Sequence, residues 1–487
     1  MRFPPNHRRT GGDCGQALPL GLVFLIAIIA SMLFLFSTSK LVDEKLTVAN
    51  ASDTAAYSTG VVEARALNFE AYLNRAIVAN ELAIGQTLSL ISWLEYFANA
   101  VINDGVLLIE LGRWSYYLDF ANYQKLLQFS LTLTGTAIVN AYFGGSITTY
   151  IQQYAPYAGY LIDAFDLTLA ALRVSLVATD AGLATMVTQR KVATAVAQQS
   201  DPTLQAEVVL TAVYQNWNFT HIYGKDTNGD ERGRLASVVT RSRDAFTANR
   251  SWTINGVDIP FIQKDVAIKR RGGTDLVSYD EWVAVDTLAS HGTTFGCGKI
   301  GLSWCSDQET PIAYASVDLA ANGSSGTAGP AGGARAENPQ TTQMALDNQV
   351  DLTQYGAYWP GLGITIDLAD LTNKDPRLPI TVFVYKPMNT SRTPGSINSA
   401  GRNPNIHPSG ELDLFAAADA ASSKIASIST AEVYFARPDK RPDGLTELPS
   451  LYSPYWQAHL IATPDTVKAA AALLYQGGKL LPPVTPP

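Results

Sequence analysis

The sequence predicts an α+β protein in which an N-terminal transmembrane helix continues into a helical region, followed by a β-rich region with long loops. Three observations support this prediction. The chain has one long apolar run near its N-terminus, and 20 of its 25 prolines lie from Pro260 onward. From about Trp252 onward, the stretches SWTINGVDIPFI, GLGITIDL, LPITVFVYKP and AEVYFARP alternate β-branched and aromatic residues with polar ones, as half-buried strands do.

The apolar run, ALPLGLVFLIAIIASMLFLF, occupies residues 17–36 without a charged residue. At about 1.5 Å per residue, a helix of this length spans roughly 30 Å, the thickness of a bilayer core. Three arginines precede the run, whereas lysines and acidic residues are mixed on its far side. The positive-inside rule therefore places residues 1–16 in the cytoplasm, residues 17–39 across the membrane and the bulk of the chain outside.

Two alternatives to this single-span topology remain open. A cleaved signal peptide would have a shorter apolar core, but the small residues at 37–39 could serve as a cleavage site. Residues 126–162 also lack charge, although Gly, Gln and Pro156 interrupt them. We expect that stretch to form buried or interfacial helices; a second span there would return everything downstream to the cytoplasm.

The distribution of proline divides the rest of the chain. Residues 40–220 are predicted to be mostly helical, because interior proline costs a helix about 3 kcal/mol and almost none occurs there. Later helices are expected near 163–199 and 203–218. Residues 221–463 are predicted to be a β-rich extracytoplasmic region, and residues 464–487 a short helix with a Pro-rich tail.

Directly after the apolar run, small residues recur at helical spacing and define a predicted packing face. Its members are Ala49, Asp53, Ala56, Gly60, Ala64 and Leu67. Small side chains allow another element to approach closely. The face could pack within the molecule or against a partner helix.

Composition and motifs argue against several classes of function. A net charge of −8 with no basic patch disfavours nucleic acid as a partner. The five histidines are scattered, so we predict no metal, no cofactor and no enzyme activity. The glycines at 296, 298 and 301 lack the strand and helix of a dinucleotide fingerprint, and the residues at 226–230 only begin like a calcium loop. Acidic residues at 280, 281 and 286 are candidate acid/base groups but suit surface turns equally well.

Cysteine is rare, with three residues in the chain. Cys297 and Cys305 are separated by seven residues and could form a disulfide in an oxidising compartment. On the cytoplasmic side of a membrane the same pair would remain thiols. The topology therefore decides their chemistry.

The N-terminal 90 residues resemble TadE/TadG-like proteins of the tight-adherence (Tad/Flp) pilus assembly system. The resemblance rests on the Gly15-Gln16-Ala17 sequence before the apolar helix and on Asn50–Ala56 (NASDTAA) after it. By the family pattern, prepilin processing would fall between Gly15 and Gln16, although Leu20 stands where a major pilin has Glu. The DxSxS metal site of some TadG proteins does not occur in this sequence.

The resemblance implies a single-pass protein of the bacterial inner membrane that acts with pilus-system proteins through helix packing. The leading hypothesis is a non-enzymatic minor pilin-like or TadG-like component of a pilus assembly or secretion apparatus. The alternative is a membrane-tethered surface adhesion protein. A tethered hydrolase has the least support.

Overall fold

The structure is a computed structural model. It describes residues 17–103, 147–183, 186–209, 218–226, 229–256, 263–294, 307–321, 334–387 and 424–476, together with Cys305 and a few isolated positions between 124 and 138. The chain is a mixed helix and sheet protein with one long apolar N-terminal helix.

That helix, α1 (Ala17–Ile102), is 86 residues long, which corresponds to roughly 130 Å. It runs without a break from the apolar residues into the folded body, because no proline interrupts it after Pro19. Among the described residues it is the one helix long and apolar enough to cross a membrane. Its most apolar 18-residue window has a mean hydropathy of 2.7, and none of that window is buried.

From Val48 onward, α1 packs against the rest of the protein around most of its circumference. Two helices, α2 (Ile147–Leu183) and α3 (Met186–Ser200), run back along it in the opposite direction. The direction follows from two contacts: Arg173 of α2 meets Glu81, and Gln189 of α3 meets Glu63.

Two larger sheets lie on other sides of α1. The first is antiparallel, in the order β1–β9–β10–β11, and the second has the order β3–β4–β5–β6–β7, with only β6 and β7 parallel. A separate pair joins β2 to β8. The strands are β1 (Gln205–Val208), β2 (Thr220–Tyr223), β3 (Trp252–Asn255), β4 (Gln263–Ser278), β5 (Glu281–Thr294), β6 (Gln308–Ala320), β7 (Val350–Asp351), β8 (Thr365–Leu368), β9 (Arg377–Pro387), β10 (Lys424–Phe435) and β11 (Trp456–Ile461).

Short helices connect and cover these strands. They are α4 (Gly233–Arg241), α5 (Ala245–Ala248), α6 (Ala334–Glu337), α7 (Pro339–Asp347), a 3₁₀ turn (Leu352–Tyr355) and α8 (Asp465–Gln476). Two of them have an aspartate cap: Asp244 accepts a hydrogen bond from Thr247 N at the start of α5, and Asp351 does the same for Thr353 N at the 3₁₀ turn.

The main hydrophobic core forms where α1 meets α2 and both larger sheets. Leu67, Ile77, Ile84 and Leu88 of α1 are almost completely inaccessible to solvent. Trp282 of β5 is also fully buried, and a Cβ at Gly85 of α1 would lie 3.1 Å from its ring. The predicted helical and β-rich regions therefore share one core built around α1.

Within the described residues, the predicted strands are confirmed, including β9 over the LPITVFVYKP stretch, and so is the C-terminal helix, α8, after Pro464. Residues 257–262 and the Pro-rich tail from 477 onward lie outside the described residues. The helix expected near 203–218 is wrong at its start, because residues 205–208 form β1. Residues 210–217 of that prediction lie outside the described residues. Leu204 and Ala206 are buried in a core cluster shared with α1, α3 and β9, and Val208 is buried as well. This alternation, reinforced by pairing with β9, outweighs the helical composition.

The uncharged stretch at 126–162 lies only partly within the described residues. From Ile147 onward it belongs to α2, which continues past Pro156. Ile162 is completely buried in the main core. That end of the stretch is therefore part of the folded body.

Candidate functional site: the faces of the long helix

The predicted packing face of α1 lies against β10 and β11 of the first sheet. Ala56, Ala64 and Leu67 are buried there, and Ala49 is half-buried. Asp53 is exposed at the edge, where its Oδ1 accepts a hydrogen bond from Ser429 Oγ at 2.5 Å. The structure thus brings these residues together on one face, and the element that covers them is a sheet of the same chain.

Gly60 is the point of closest approach on this face. A Cβ at this position would lie 3.0 Å from Ala431 Cβ and 3.3 Å from Ala458 Cβ. Both distances are shorter than ordinary carbon–carbon contacts. The glycine therefore sets the spacing between α1 and the two strands.

Two asparagines of α1, which sequence reasoning missed, attach the helix to the backbone of neighbouring segments. Asn68 exchanges two hydrogen bonds of 2.9 Å with the main chain of Trp456. Asn74 is completely buried and donates to the carbonyls of Ile366 and Leu451 at 2.7 and 2.6 Å. The only signal in the sequence is a polar amide on an otherwise apolar helix face.

The face of α1 toward α2 and α3 carries buried acidic residues that sequence reasoning also missed. Glu81 accepts hydrogen bonds from Arg173 at 2.8 Å and from Trp359 Nε1 at 3.0 Å. Burial raises the pKa of Glu81 to about 7, although Arg173 opposes the shift. The two partners stabilise a carboxylate that the core would otherwise disfavour.

Glu70 is a different case, because it is fully buried and neither carboxylate oxygen has a hydrogen-bond partner. Burial raises its pKa to about 9, and the neighbouring carboxylates of Asp180 and Glu63 act in the same direction. The side chain is therefore protonated at neutral pH.

Near the apolar end of α1, three residues form a basal ion-pair cluster (Glu44, Asp201 and Lys386). Lys386 Nζ lies 2.7 Å from Glu44 Oε2 and 2.7 Å from Asp201 Oδ2, and the lysine side chain is only 1% exposed. The cluster joins the start of the buried part of α1 to β9 and to the segment after α3.

One face of α1 remains exposed between Asn50 and Leu90. This open stripe lies roughly 110° around the helix from the predicted packing face, at 100° per residue. It carries Tyr57, Tyr72 and Leu90, which are 45%, 59% and 52% exposed. Its remaining exposed members are Asn50, Thr54, Arg65, Arg75, Ala79 and Gln86.

The carboxylates proposed as acid/base candidates have structural partners. Asp280 pairs with Arg232 at 2.6 Å. Asp286 is completely buried and receives two hydrogen bonds from Arg250, at 2.8 and 2.9 Å, and one from Ser92 of α1 at 2.7 Å. Glu281 is largely buried.

In the calcium-like loop, Asp230 likewise has a partner within the chain, because it forms an ion pair with Arg232 at 2.8 Å. Among the described residues, no group of three or more His, Cys, Asp or Glu side chains is placed to hold a metal ion. The glycines of the dinucleotide-like pattern lie outside the described residues.

A cleft of about 690 Å³ opens at the loop between β10 and β11. Phe435 and Pro449 contribute apolar surface, while Lys374, Arg437, Lys440 and Arg441 also line it. Glu447 pairs with Arg437 at 2.8 Å and with Arg441 at 3.1 Å, which orders the loop. The cleft combines apolar surface with an excess of cationic groups.

Cys305 is disulfide-bonded. Its predicted partner, Cys297, lies outside the described residues, as do Cys14 and the Gly15–Gln16 processing position. The pairing of Cys297 with Cys305 and the processing site therefore stay predictions.

No protein-family model, curated protein or solved structure matches this chain. Its function is therefore inferred from its residues and their geometry.

Proposed function

We propose that this chain is a non-enzymatic, membrane-anchored component of a Tad/Flp-type pilus assembly or secretion apparatus, of the minor pilin-like or TadG-like kind. It is held in the bacterial inner membrane by α1, with residues 1–16 in the cytoplasm and the body outside. The observation that carries this proposal is the dual character of α1, whose apolar end is fully exposed and whose remainder is the centre of the folded body.

This arrangement suits a structural component whose role depends on being held at a fixed place at the membrane. An exposed run of Leu, Ile and Phe is stable in hydrocarbon and costly in water. The helix continues from that run into the core without a break, so the body is attached to the membrane through a regular helix. The open stripe then presents α1 itself to neighbouring proteins just outside the bilayer.

Two further observations support the proposal. The disulfide at Cys305 fits an oxidising compartment outside the cytoplasm. The buried carboxylates Asp286 and Glu81 pair with arginines inside the core, which is a structural use of acidic groups.

Because β10 and β11 cover the predicted packing face, the open stripe is the part of α1 that a partner can reach and that crosslinking should test. A photoreactive residue replacing Tyr57 or Tyr72 should capture pilus-assembly proteins in living cells, identified by mass spectrometry. The matched control is Leu371, an exposed position in the loop between β8 and β9. Capture of no pilus-system protein from either stripe position would contradict the proposal.

A second readout is pilus formation. Tyr72→Lys places a charge on the stripe without touching the core, so it should reduce surface pili while the protein level is unchanged. Leu371→Lys should leave pili at the wild-type level. Wild-type piliation in a strain lacking the whole chain would exclude a role in pilus assembly.

The alternative, a membrane-tethered adhesion protein, is favoured by the cationic cleft between β10 and β11. Lys374→Glu with Lys440→Glu would then abolish surface attachment while pili remain intact. Loss of pili in the same variant, or normal attachment, would count against the alternative.

A further inference from the structure

The helix α2 has two opposite apolar faces. Its inner face consists of Ile162, Leu169 and Leu176, which repeat every seven residues and are completely buried against α1. Its outer face presents Tyr160, Leu167 and Val174, which are 69%, 74% and 70% exposed. A helix that is apolar on both sides normally has packing partners on both sides.

The outer face has the spacing of a coiled-coil seam. Its exposed positions alternate steps of four and three residues over three heptads, and we call them the outer seam: Tyr160, Ala164, Leu167, Ala171, Val174, Ala178 and Ala181. Alternating steps of this kind are the a and d positions of a heptad repeat. The alanines fall at one of these positions and the larger residues chiefly at the other, so large and small layers alternate.

No member of the outer seam is charged, whereas an ordinary protein surface is about 25–35% charged. The nearby charged residues of α2 point elsewhere: Arg173 pairs with Glu81, and Asp163 accepts a hydrogen bond from Tyr358 N. The seam is therefore a continuous uncharged strip about 33 Å long.

We propose that the outer seam binds the outer seam of a second copy of this chain, forming a parallel two-stranded coiled coil between the two α2 helices. The seam and its flanking residue Leu161 expose on the order of 600 Å² per chain, so a dimer that covered them completely would bury at most about 1,200 Å², the lower limit of stable interfaces. A symmetric contact needs only one self-complementary patch, and an uncharged heptad seam supplies it.

The parallel orientation rests on the proposed membrane anchoring. In each copy α2 runs antiparallel to α1, so two copies anchored in one membrane have α2 helices that point the same way. Each α2 is already folded on its own body, so pairing does not have to order the helix. A seam of three heptads, short for a free peptide, is then sufficient.

Crosslinking of the full-length protein in membranes tests both contact and orientation. In a Cys14→Ser background, Leu167→Cys should give a covalent dimer with a short bismaleimide, as should Val174→Cys. Leu448→Cys, equally accessible but on a loop, should give none. A mixture of Leu167→Cys and Ala171→Cys chains that forms only the mixed dimer would show antiparallel pairing and overturn the proposal.

The mass of the purified full-length protein in detergent provides the second test, and it does not depend on any pilus protein. The wild type should be dimeric at micromolar concentration, and Leu167→Lys should raise the dissociation constant about tenfold or more, because it buries a charge in the seam. Leu448→Lys should leave the dimer unchanged, and circular dichroism should show both variants folded. A wild type that stays monomeric, or a dimer unaffected by Leu167→Lys, would disprove this interface.

Discussion

Gly60 limits how closely α1 approaches β10 and β11. Gly60→Leu introduces three further carbons beyond the Cβ, against alanines that are already 3.0 and 3.3 Å from the Cβ position. Overpacking of this kind should lower the free energy of unfolding by about 1–3 kcal/mol. Chemical denaturation of the detergent-solubilised protein measures the change.

Gly182 near the end of α2 is the matched control, since a Cβ there meets no atom within 4 Å. Gly182→Ala should leave the stability unchanged or raise it slightly, because alanine favours helix. Equal losses at the two glycines would show that close packing at Gly60 is not the cause.

Glu70 makes stability depend on pH in an uncommon direction. In the folded state the Glu70 carboxyl keeps its proton up to its pKa of about 9, whereas in the unfolded chain the same carboxyl has its ordinary pKa near 4.5. The contribution of Glu70 to stability is thus fully present below pH 4.5 and is lost progressively up to pH 9, by about 1.4 kcal/mol per pH unit. Glu70→Gln should therefore stabilise the protein at pH 7 by an amount on the order of 3 kcal/mol.

Thermal unfolding between pH 5 and pH 9 checks this prediction. The variant should show a shallower loss of melting temperature as pH rises, with some slope remaining because burial also raises the pKa of Glu81 and Asp318 to about 7. Asp43→Asn, on an exposed part of the same helix, is the control and should follow the wild type. A Glu70→Gln profile parallel to the wild type would contradict the assignment.

At this scale, the sequence identified the residues of the packing face but not what covers them. Helical spacing shows that Ala56, Gly60 and Ala64 share a face, and small side chains indicate close approach. A partner helix and a sheet of the same chain satisfy that pattern equally. The buried acids could not be recognised at all, because their environment depends on where α2 and α3 pack.

Among the structural elements, the basal ion-pair cluster joins α1 to β9 where the body begins. Lys386→Met would leave Glu44 and Asp201 partly buried without their cation, which should cost about 3–5 kcal/mol. Hydrogen exchange should rise first in the α1 amides near Glu44 and in β9, before the core around Ile77 is affected.

Arg377→Met is the comparison for this prediction. Arg377 pairs with Asp375 and Glu432 at the other end of β9, but its side chain is 39% exposed. Exposed pairs contribute about 0–1 kcal/mol, so its loss should be small. Similar losses for the two variants would argue against a special role for the buried lysine.

Helices and strands could be predicted from the sequence where neighbouring residues give a consistent pattern. The absence of proline predicted α1, and alternation with turn residues predicted β9 and β10. β1 was missed because four residues carry little pattern of their own, and its pairing partner lies about 180 residues away in β9. The basal cluster joins residues separated by 342 positions, so no local signal could reveal it.

At the scale of the whole molecule, orientation across the membrane is the central expectation. Leu448→Cys in a Cys14→Ser background should react with a membrane-impermeant maleimide in cells whose inner membrane is intact. The wild type, in which Cys14 is expected on the cytoplasmic side, should react only after the membrane is opened. The reverse pattern would place the body in the cytoplasm and remove the basis of the proposed function.

The continuity of α1 makes it a stiff mechanical connection between its apolar end and the folded body. An uninterrupted helix resists twisting and stretching, so rotation or axial pull on its apolar end is transmitted to the body. Inserting one residue between Phe36 and Glu44 would turn the body by about 100° and raise it by about 1.5 Å. Inserting seven would raise it by about 10 Å yet return it to within about 20° of its original heading. The rotation of the body about α1 and its distance from the apolar end can thus be varied separately, to learn which of the two matters for contact with neighbouring proteins.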